Sequence, residues 1–233
     1  MQTNQAVERT AEELYREGTD HQFDAKTIEL GPWTSFSLMN DPKHMVFGLS
    51  RYKFVAKMLE GKNTVMEIGS GDGFGLPIVA QAVQKVICVD WDSRLLDGNA
   101  KRLAHLENVT FLKNDLNHCA PDLKVDAAYS IDVIEHIEEK TEGPFLENIV
   151  SCIKPNGILI TGTPNITANE YASPESRVQH INLKSMKTLR ELTSKYFENV
   201  FMFGMNDEVL HTGYGPMCHY IWSVGVGVRQ EWR

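Results

Sequence analysis

The sequence predicts an α/β protein with a doubly wound, mostly parallel sheet and an N-terminal helical extension. Short apolar runs alternate along the chain with segments of helical periodicity, which is the pattern of a parallel sheet covered by helices. The first of these runs ends in a glycine-dense turn, GSGDGFG. The 233 residues, of which 42% are hydrophobic and 23% charged, are enough to bury one full core.

The first sixty residues are predicted to be largely helical. Apolar and charged residues alternate from about residue 3 to residue 16, which predicts a short helix. Asp41-Pro42 has the form of a helix start, and the helix that it begins would end at Gly61. Trp33 and Phe36 could fold over a bound ligand or pack on the core, and both interpretations stay open.

The glycine-dense turn follows the apolar strand VMEI, residues 65–68. Gly69, Gly71 and Gly73 remove the side chains that would keep a ligand away from the backbone. A dinucleotide fingerprint needs glycine at the sixth position of G-x-G-x-x-G, where this chain has Phe74, and no G-K-[ST] ending marks a phosphate loop. The turn therefore favours a ligand that binds without a pyrophosphate.

Acidic residues flank this turn at the spacing of a nucleoside site. Glu67 lies just before the glycines, and Asp90 ends the next apolar run, VICVD. A carboxylate at that position can accept hydrogen bonds from both hydroxyls of a ribose, and Trp91 can lie against an adenine ring. These residues predict a ribose-containing ligand that needs no phosphate.

The remaining elements follow in order along the chain. Helices are predicted over about 74–84 and 92–106, and strands over 86–90, 109–112, 125–130 and 158–162. Ser185 caps a last helix, and the runs NVFMFGM and CHYIWSVGVGV predict two final strands. Residues 206–216 are predicted to link them.

The stretch DVIEHI, residues 132–137, follows the fourth strand, and ligands collect where the strands of such sheets end. A helix is predicted to begin here, and residues at i, i+3 and i+4 of a helix share one face. Asp132, Glu135 and His136 would then point together above the sheet. Two carboxylates and an imidazole suit a divalent ion such as Mg²⁺ or Mn²⁺.

Taken together, these motifs resemble the class I S-adenosylmethionine-dependent methyltransferases. E-x-G-x-G-x-G is followed by NVTFLKNDL, VDAAYSIDVIEHI and IKPNGILITGTPN, in the order of that family's third, fourth and fifth strands. The resemblance implies S-adenosylmethionine as cofactor and a seven-stranded sheet with the last strand antiparallel. The cofactor-binding residues that it implies are Glu67, Gly69, Ser70, Gly71, Gly73, Asp90, Trp91, Asp115, Leu116 and Ile131. Taken alone, the glycine turn could merely pack a helix on the sheet, and Asp115 could be a surface acid.

The resemblance also suggests how the chain is divided. Residues 61–233 would form the methyltransferase domain, and residues 1–60 a helical extension that could act as a lid. Arg51 lies on the second helix of this extension. It could pair with the cofactor's carboxylate, but an exposed charge is the prediction that we favour.

The motif at residues 132–136 resembles the E-x-x-E-H helix of ubiquinone-pathway O-methyltransferases and of small-RNA terminal 2'-O-methyltransferases, in which a distant histidine completes a divalent-metal site. That resemblance implies Asp132, Glu135, His136 and His180 as ligands, with Asp132 one methylene shorter than the family's glutamate. Two other interpretations stay open. His136 could be a hydrogen-bonded structural residue, or His136 or His180 could be the general base that takes the acceptor's proton.

Residues 163–182 form a long polar segment after the fifth strand, and loops at that edge of the sheet select substrates. Hydrogen-bonding side chains within it are Tyr171, Ser173, Glu175, Arg177 and His180. They favour O-methylation of a small polar acceptor such as a sugar or a nucleotide-linked precursor of a surface glycan, unless the segment is only a solvated loop. The alternatives are a metal-dependent RNA ribose 2'-O-methyltransferase, a nicotinamide-dependent dehydrogenase, and a module that binds the adenosyl cofactor without turnover.

Composition excludes several other classes. A net charge of −8 without a polybasic block disfavours nucleic acid as a partner. No apolar run approaches the roughly 18 residues of a membrane span, and the polar N-terminus lacks a signal peptide's apolar centre, so the expected location is the cytoplasm. The four cysteines form no C-x-x-C pair, which disfavours zinc sites and disulfides. A monomer or homodimer is expected.

Overall fold

The computed structural model describes residues 9–233, which form a single eight-stranded sheet with helices on both faces. The helices are α1 Ala11–Phe23, α2 Pro32–Asn40, α3 Pro42–Leu59, α4 Leu76–Ala80, α5 Ser93–Arg102, α6 Glu139–Cys152, α7 Pro174–Gln179 and α8 Met186–Ser194. The strands are β1 Thr64–Ile68, β2 Lys85–Asp90, β3 Val109–Lys113, β4 Val125–Ile131, β5 Ile153–Pro164, β6 Phe197–Asn206, β7 Val209–His211 and β8 Tyr220–Val228.

The strand order is β3-β2-β1-β4-β5-β8-β6-β7. Strands β1 to β5 pair in parallel, and β8 runs antiparallel to both of its neighbours, β5 and β6. This confirms the predicted doubly wound sheet with an antiparallel last strand. Because the order reverses between β1 and β4, a crevice opens where these two strands end.

The predicted strand count of seven was wrong by one short edge strand. Residues 206–216 were predicted as a link, but Val209–His211 turns back and pairs with Gly204–Asn206. Asp207 permits the tight turn by taking a positive φ of 49°. Three residues are too few for a periodic pattern, which is why the sequence does not reveal this strand.

The core lies on both faces of the sheet. Alternate residues of a strand point to opposite faces, so Val65 of β1 packs with residues of α3 and α4, whereas Met66 packs with residues of α6. Val55 and Leu59 of α3 are fully buried. The third helix of the N-terminal segment is therefore part of the main core.

Several predicted helix bounds were wrong. The helix predicted over 3–16 is Ala11–Phe23, because Thr10 and Glu13 form a capping box that starts it there; residues 3–8 lie outside the described residues. The helix predicted over 74–84 is only α4, five residues long, and the helix predicted to reach residue 106 ends at Arg102.

Within residues 9–233, none of the helices combines the length and apolar character that crossing a bilayer requires.

The helix predicted to begin at Asp132 is absent. Asp132 has a φ of +56°, and its amide donates to the carbonyl of Gly162 on β5, so the backbone bends away after the end of β4 and does not enter a helix. A 3₁₀ turn over Ile134–His136 follows, and α6 begins only at Glu139. Asp132, Glu135 and His136 therefore do not share a helix face.

Candidate active site

A cleft of about 990 Å³ lies at the carboxyl edge of the sheet. The ends of β1, β2, β3 and β4 form its floor, and residues of α2 and α3 form one wall. Its position is the crevice that the strand order creates. Most residues assigned to the cofactor from the sequence line it: Gly69, Ser70, Gly71, Asp90, Trp91, Asp115, Leu116 and Ile131.

The glycine turn takes a backbone shape that side chains disfavour. Gly69, Gly71 and Gly73 have φ values of +70°, +51° and +73°. A Cβ atom on Gly69 would lie 2.6 Å from Cγ2 of Val133, and one on Gly71 would lie 2.9 Å from the ring of Trp33. The missing side chains at Gly69 and Gly71 thus let Val133 and Trp33, which both line the cleft, pack against the turn.

Two residues assigned to the cofactor from the sequence lie elsewhere. A Cβ atom on Gly73 would meet Leu103 and Asn99, so this glycine lets the turn pack against the α5 region. Glu67 is 1% exposed beneath the cleft floor, where its Oε2 accepts a hydrogen bond from the Cys88 thiol at 3.2 Å. Burial raises the pKa of Glu67 to about 7. Neither residue lines the cleft.

Asp90 lies at the end of β2 with its carboxylate at the cleft. Its Oδ1 accepts from the amide of Asp92 at 2.9 Å, and burial raises its pKa. Trp91 beside it is 66% exposed, so one ring face is open to the cleft. Ser70 lines the same floor with a buried hydroxyl that has no protein partner. Polar groups are thus left for a ligand next to an open aromatic ring.

Helix α2 is tied to the glycine turn through Asp72. The Asp72 carboxylate accepts from the Thr34 amide at 2.7 Å and from the Thr34 hydroxyl at 3.0 Å, which satisfies donors in the first turn of α2. Gly31 is needed for this contact, because a Cβ there would lie 2.4 Å from Asp72. The sequence interpretation missed Asp72, although an acid inside a glycine turn was a visible signal.

A second group of polar side chains lies where β4 and β5 end. One ligand atom from each of Glu135, His136 and His180 lies within 4.8 Å of the others, and the two imidazole rings meet edge-on with centroids 5.1 Å apart. His136 Nδ1 lies 3.1 Å from the carbonyl oxygen of Gln179. A carbonyl only accepts, so this contact places a proton on Nδ1 and leaves Nε2 with a free lone pair.

The other members of this group are suited to a cation. Glu135 is fully buried, its Oε2 accepts from the Thr163 hydroxyl at 2.9 Å, and its Oε1 has no partner. Burial raises the pKa of this carboxyl, and the nearby Asp132 raises it further. Burial also lowers the pKa of His180, which favours the neutral imidazole that a metal needs.

Asp132 is outside this group, which corrects the four-ligand prediction. Its Oδ2 accepts from Arg51 Nη1 at 2.5 Å, and the guanidinium carbon of Arg51 lies 3.9 Å from the ring centroid of Tyr220. Arg51 is 8% exposed, so the prediction of a solvent-exposed charge was also wrong. Asp132 lines the cleft as a carboxylate held by this buried arginine.

The polar segment 163–182 contributes less to the cleft than predicted. It contains a 3₁₀ turn over Ile166–Tyr171 and the short helix α7. The cleft is lined by Gln179, whereas the five predicted residues lie outside its lining: Tyr171, Ser173, Glu175, Arg177 and His180. Arg177 instead donates to the backbone carbonyls of Ala172 and Glu170.

A profile of the methyltransferase domain family matches residues 66–159, the stretch that carries the glycine turn, Asp90, Asp115 and the β4 end. Over these residues the chain carries a methyltransferase domain of the S-adenosylmethionine-dependent kind. This confirms the resemblance on which the sequence interpretation relied.

Three similar proteins illustrate this relationship. A probable S-adenosylmethionine-dependent methyltransferase of Mycolicibacterium smegmatis is 27% identical over 49% of this chain and 42% of its own length. A ubiquinone biosynthesis O-methyltransferase of Rickettsia akari is 27% identical over 48% of this chain and 44% of its own length. The methyltransferase domain of bacterial CtHen1-C superposes with a TM-score of 0.64 at 19% identity, over 78% of this chain and 99% of that domain. The matches to the first two thus span less than half of those proteins.

The cleft fits the cofactor of this family. S-adenosylmethionine carries no phosphate, in agreement with a turn that lacks a phosphate-loop ending. Among the residues that line the cleft, Asp90 could accept hydrogen bonds from ribose hydroxyls and Trp91 could lie against an adenine ring.

Proposed function

We propose that this methyltransferase transfers the methyl group of S-adenosylmethionine to an oxygen of a small polar acceptor such as a sugar or a nucleotide-linked sugar. The observation that carries the proposal is the Asp90 carboxylate, which lies at the cleft beside the bare backbone of Gly69 and Gly71. This arrangement suits an adenosyl ligand, and the cleft continues past it towards His136 and Gln179.

The transfer is a single displacement. The cofactor supplies a methyl group that is already activated on a sulfonium. The acceptor oxygen bonds to the methyl carbon, the carbon–sulfur bond breaks, and the acceptor's proton leaves to a base or to solvent. The protein's main task is then to hold the acceptor oxygen in line with the methyl group and to exclude water. When no ion occupies Nε2, His136 can receive the proton, because its Nδ1 contact leaves Nε2 free.

The acceptor end of the cleft supports a polar ligand that contains a ring. Hydrogen-bonding groups there are Ser37, His44, Asp132, His136 and Gln179. Trp33 and Phe36 stand in the same wall with more than half of each side chain exposed, and an aromatic face can cover the apolar face of a sugar ring. The net charge of −8 disfavours an RNA acceptor.

We also propose that Glu135, His136 and His180 hold a divalent ion such as Mn²⁺ or Mg²⁺. The unpartnered Oε1 of the buried Glu135 supports this, because an orphaned carboxylate oxygen needs a proton or a cation. When bound, such an ion would lower the cost of deprotonating an acceptor hydroxyl. Asp132 is not included, since it pairs with Arg51.

The metal proposal is tested by titrating the protein with Mn²⁺ and following the free ion by electron paramagnetic resonance. We expect one site that His180→Ala weakens about tenfold or more, with S-adenosylhomocysteine affinity unchanged. A chelator should then reduce methyl transfer, and Mn²⁺ or Mg²⁺ should restore it. Transfer that is indifferent to chelation would leave His136 or His180 as the base.

For the chain's organisation, we propose residues 61–233 as the catalytic domain and the N-terminal segment, residues 1–60, as the source of a lid. The contacts of Thr34 with Asp72 support a lid role for α2, because they couple the helix directly to the glycine turn. Trp33 packs over Gly71 from the same helix. Helix α3 anchors this segment through its buried residues.

The central test is calorimetric titration with S-adenosylhomocysteine, NAD and ATP. We expect binding of the first alone, with a dissociation constant in the micromolar range. Binding of NAD alone would support a dehydrogenase and contradict the proposal. A panel of hydroxylated acceptors with methyl-labelled cofactor would then separate an enzyme from a module that binds without turnover.

A further inference from the structure

Asn182, Lys184 and Glu142 form a hydrogen-bonded network behind His180. Asn182 Nδ2 donates to Glu142 Oε2 at 2.7 Å, and Lys184 Nζ donates to Asn182 Oδ1 at 2.8 Å. Lys184 also forms an ion pair with Glu142. Asn182 and Lys184 are each only 8% exposed, so both are withdrawn from water. Each of the three side chains thus has at least one partner of matching chemistry.

The network joins the two segments that carry the histidines and Glu135. The amide of Asn182 donates to the carbonyl of Glu135 at 3.0 Å, two residues after His180. On the other side of His180, the carbonyl of Gln179 accepts from His136 Nδ1. His180 is therefore held between two contacts that both run to the 3₁₀ turn of Glu135 and His136.

Glu142 and Lys184 are both attached to well-ordered backbone. Glu142 lies in the first turn of α6, whose later residues are in the core. Lys184 is fixed by its backbone: its carbonyl accepts from Ile166, and it forms an isolated β-bridge with Asn165. A buried lysine and a largely buried carboxylate are costly to desolvate, and they are stable only when paired. The position of the Lys184–Glu142 pair behind His180 indicates that the side chain of His180 must be held in one place.

We propose that Asn182, Lys184 and Glu142 are positioning residues that fix His180 and thereby set the affinity of the Glu135–His136–His180 group for a divalent ion. This inference rests on the metal proposal made above. Side chains that orient metal ligands without touching the ion commonly change metal affinity by roughly 10–100-fold when they are replaced. The three residues have no contact with the cofactor half of the cleft, so the effect should be confined to the ion.

The test is Mn²⁺ titration of the full chain, followed by electron paramagnetic resonance, for wild type, Asn182→Ala and Lys184→Met. We expect each variant to bind Mn²⁺ about tenfold or more weakly, with S-adenosylhomocysteine affinity unchanged by calorimetry. Lys184→Arg should restore most of the affinity, because it keeps the charge and the donors. Lys187→Met is the matched control: this lysine is exposed on α8, and its variant should bind Mn²⁺ like wild type.

The outcomes separate this inference from the proposals beneath it. Folded variants that bind Mn²⁺ as tightly as wild type would overturn the positioning role. Loss of S-adenosylhomocysteine affinity in the same proportion would show general disruption and would also overturn it. If wild type bound the cofactor product but no Mn²⁺, the metal proposal and this inference would both fall, and the methyltransferase assignment would stand.

Should Lys184→Met not fold, Glu142→Gln removes the charge pair while keeping an acceptor for Asn182, and the same weakening of Mn²⁺ binding is expected.

Discussion

The two halves of the cleft are built in different ways. In the cofactor half, consecutive residues create the site: the turn at Gly69 and Gly71 follows β1 directly, and Asp90 is the last residue of β2. In the half beyond β4, His136 lines the cleft and meets two residues outside its lining: Glu135 from the same 3₁₀ turn, and His180 from the end of α7 in a distant part of the chain. The first half depends on backbone shape, whereas the second depends on side-chain contacts between remote segments.

This difference explains which expectations succeeded. A positive φ at glycine and a carboxylate at a strand end are local properties, so a short sequence motif can predict them. Contacts between remote side chains depend on turns whose shape no local pattern specifies, as Asp132 shows. Substitutions in the two halves should therefore differ in what they damage.

The largest effect is expected for Asp90→Ala. Two charge-assisted hydrogen bonds to the ribose hydroxyls would be lost, so S-adenosylhomocysteine affinity should fall about 100-fold or more, roughly 3 kcal/mol. Calorimetry measures this change. Asp97→Ala, on the exposed side of α5, is the control and should leave affinity unchanged. Undiminished binding by Asp90→Ala would refute the ribose assignment.

Gly69→Ala should destabilise the fold by about 2–3 kcal/mol. A left-handed backbone costs an alanine roughly 1–2 kcal/mol, and the new Cβ would lie 2.6 Å from Val133. Urea denaturation measures the free energy of unfolding. Gly48→Ala in α3, where no atom lies within 4 Å of the new Cβ, should instead stabilise by about 0.5–1 kcal/mol. Equal effects of the two changes would contradict this account of the turn.

Glu67→Gln tests the buried floor of the cofactor half. Burial raises the pKa of Glu67 from 4.5 to about 7, so the folded state binds an extra proton between these two values. The free energy of unfolding of wild type should therefore fall as pH rises through this window and level off above it. Glutamine does not titrate, so the variant should gain on the order of 2 kcal/mol relative to wild type between pH 5 and pH 8. A difference independent of pH would be evidence against a titrating Glu67.

The smallest effect is expected where α2 connects to the cofactor half. Thr34→Val removes the hydroxyl donor to Asp72 and keeps the amide donor. Losing one such hydrogen bond should speed S-adenosylhomocysteine release about fivefold, roughly 1 kcal/mol, as measured by stopped-flow fluorescence. Thr19→Val on α1, whose hydroxyl donates only to the Tyr15 carbonyl, is the control. An unchanged release rate would count against a lid role for α2.

The error at Asp132 shows why part of the second half escaped prediction. The D-x-x-E-H spacing suggested one helix face, but the backbone turns into the left-handed region and Arg51 captures the carboxylate. Arg51 lies on α3, far from Asp132 in the sequence, so no local sequence pattern could predict this ion pair. Glu135, His136 and His180 still converge, through the contacts of Asn182 and Gln179 rather than through helix periodicity.

The sequence by itself determined the doubly wound sheet, the glycine turn and the acid at the end of β2, because apolar periodicity and glycine's freedom at positive φ act over a few neighbouring residues. Only the tertiary structure decided that Asp72 anchors α2, that Glu67 lies under the cleft rather than in it, and that Asp132 is held by Arg51. These pairings join distant segments, and their partners are selected by how the whole chain packs.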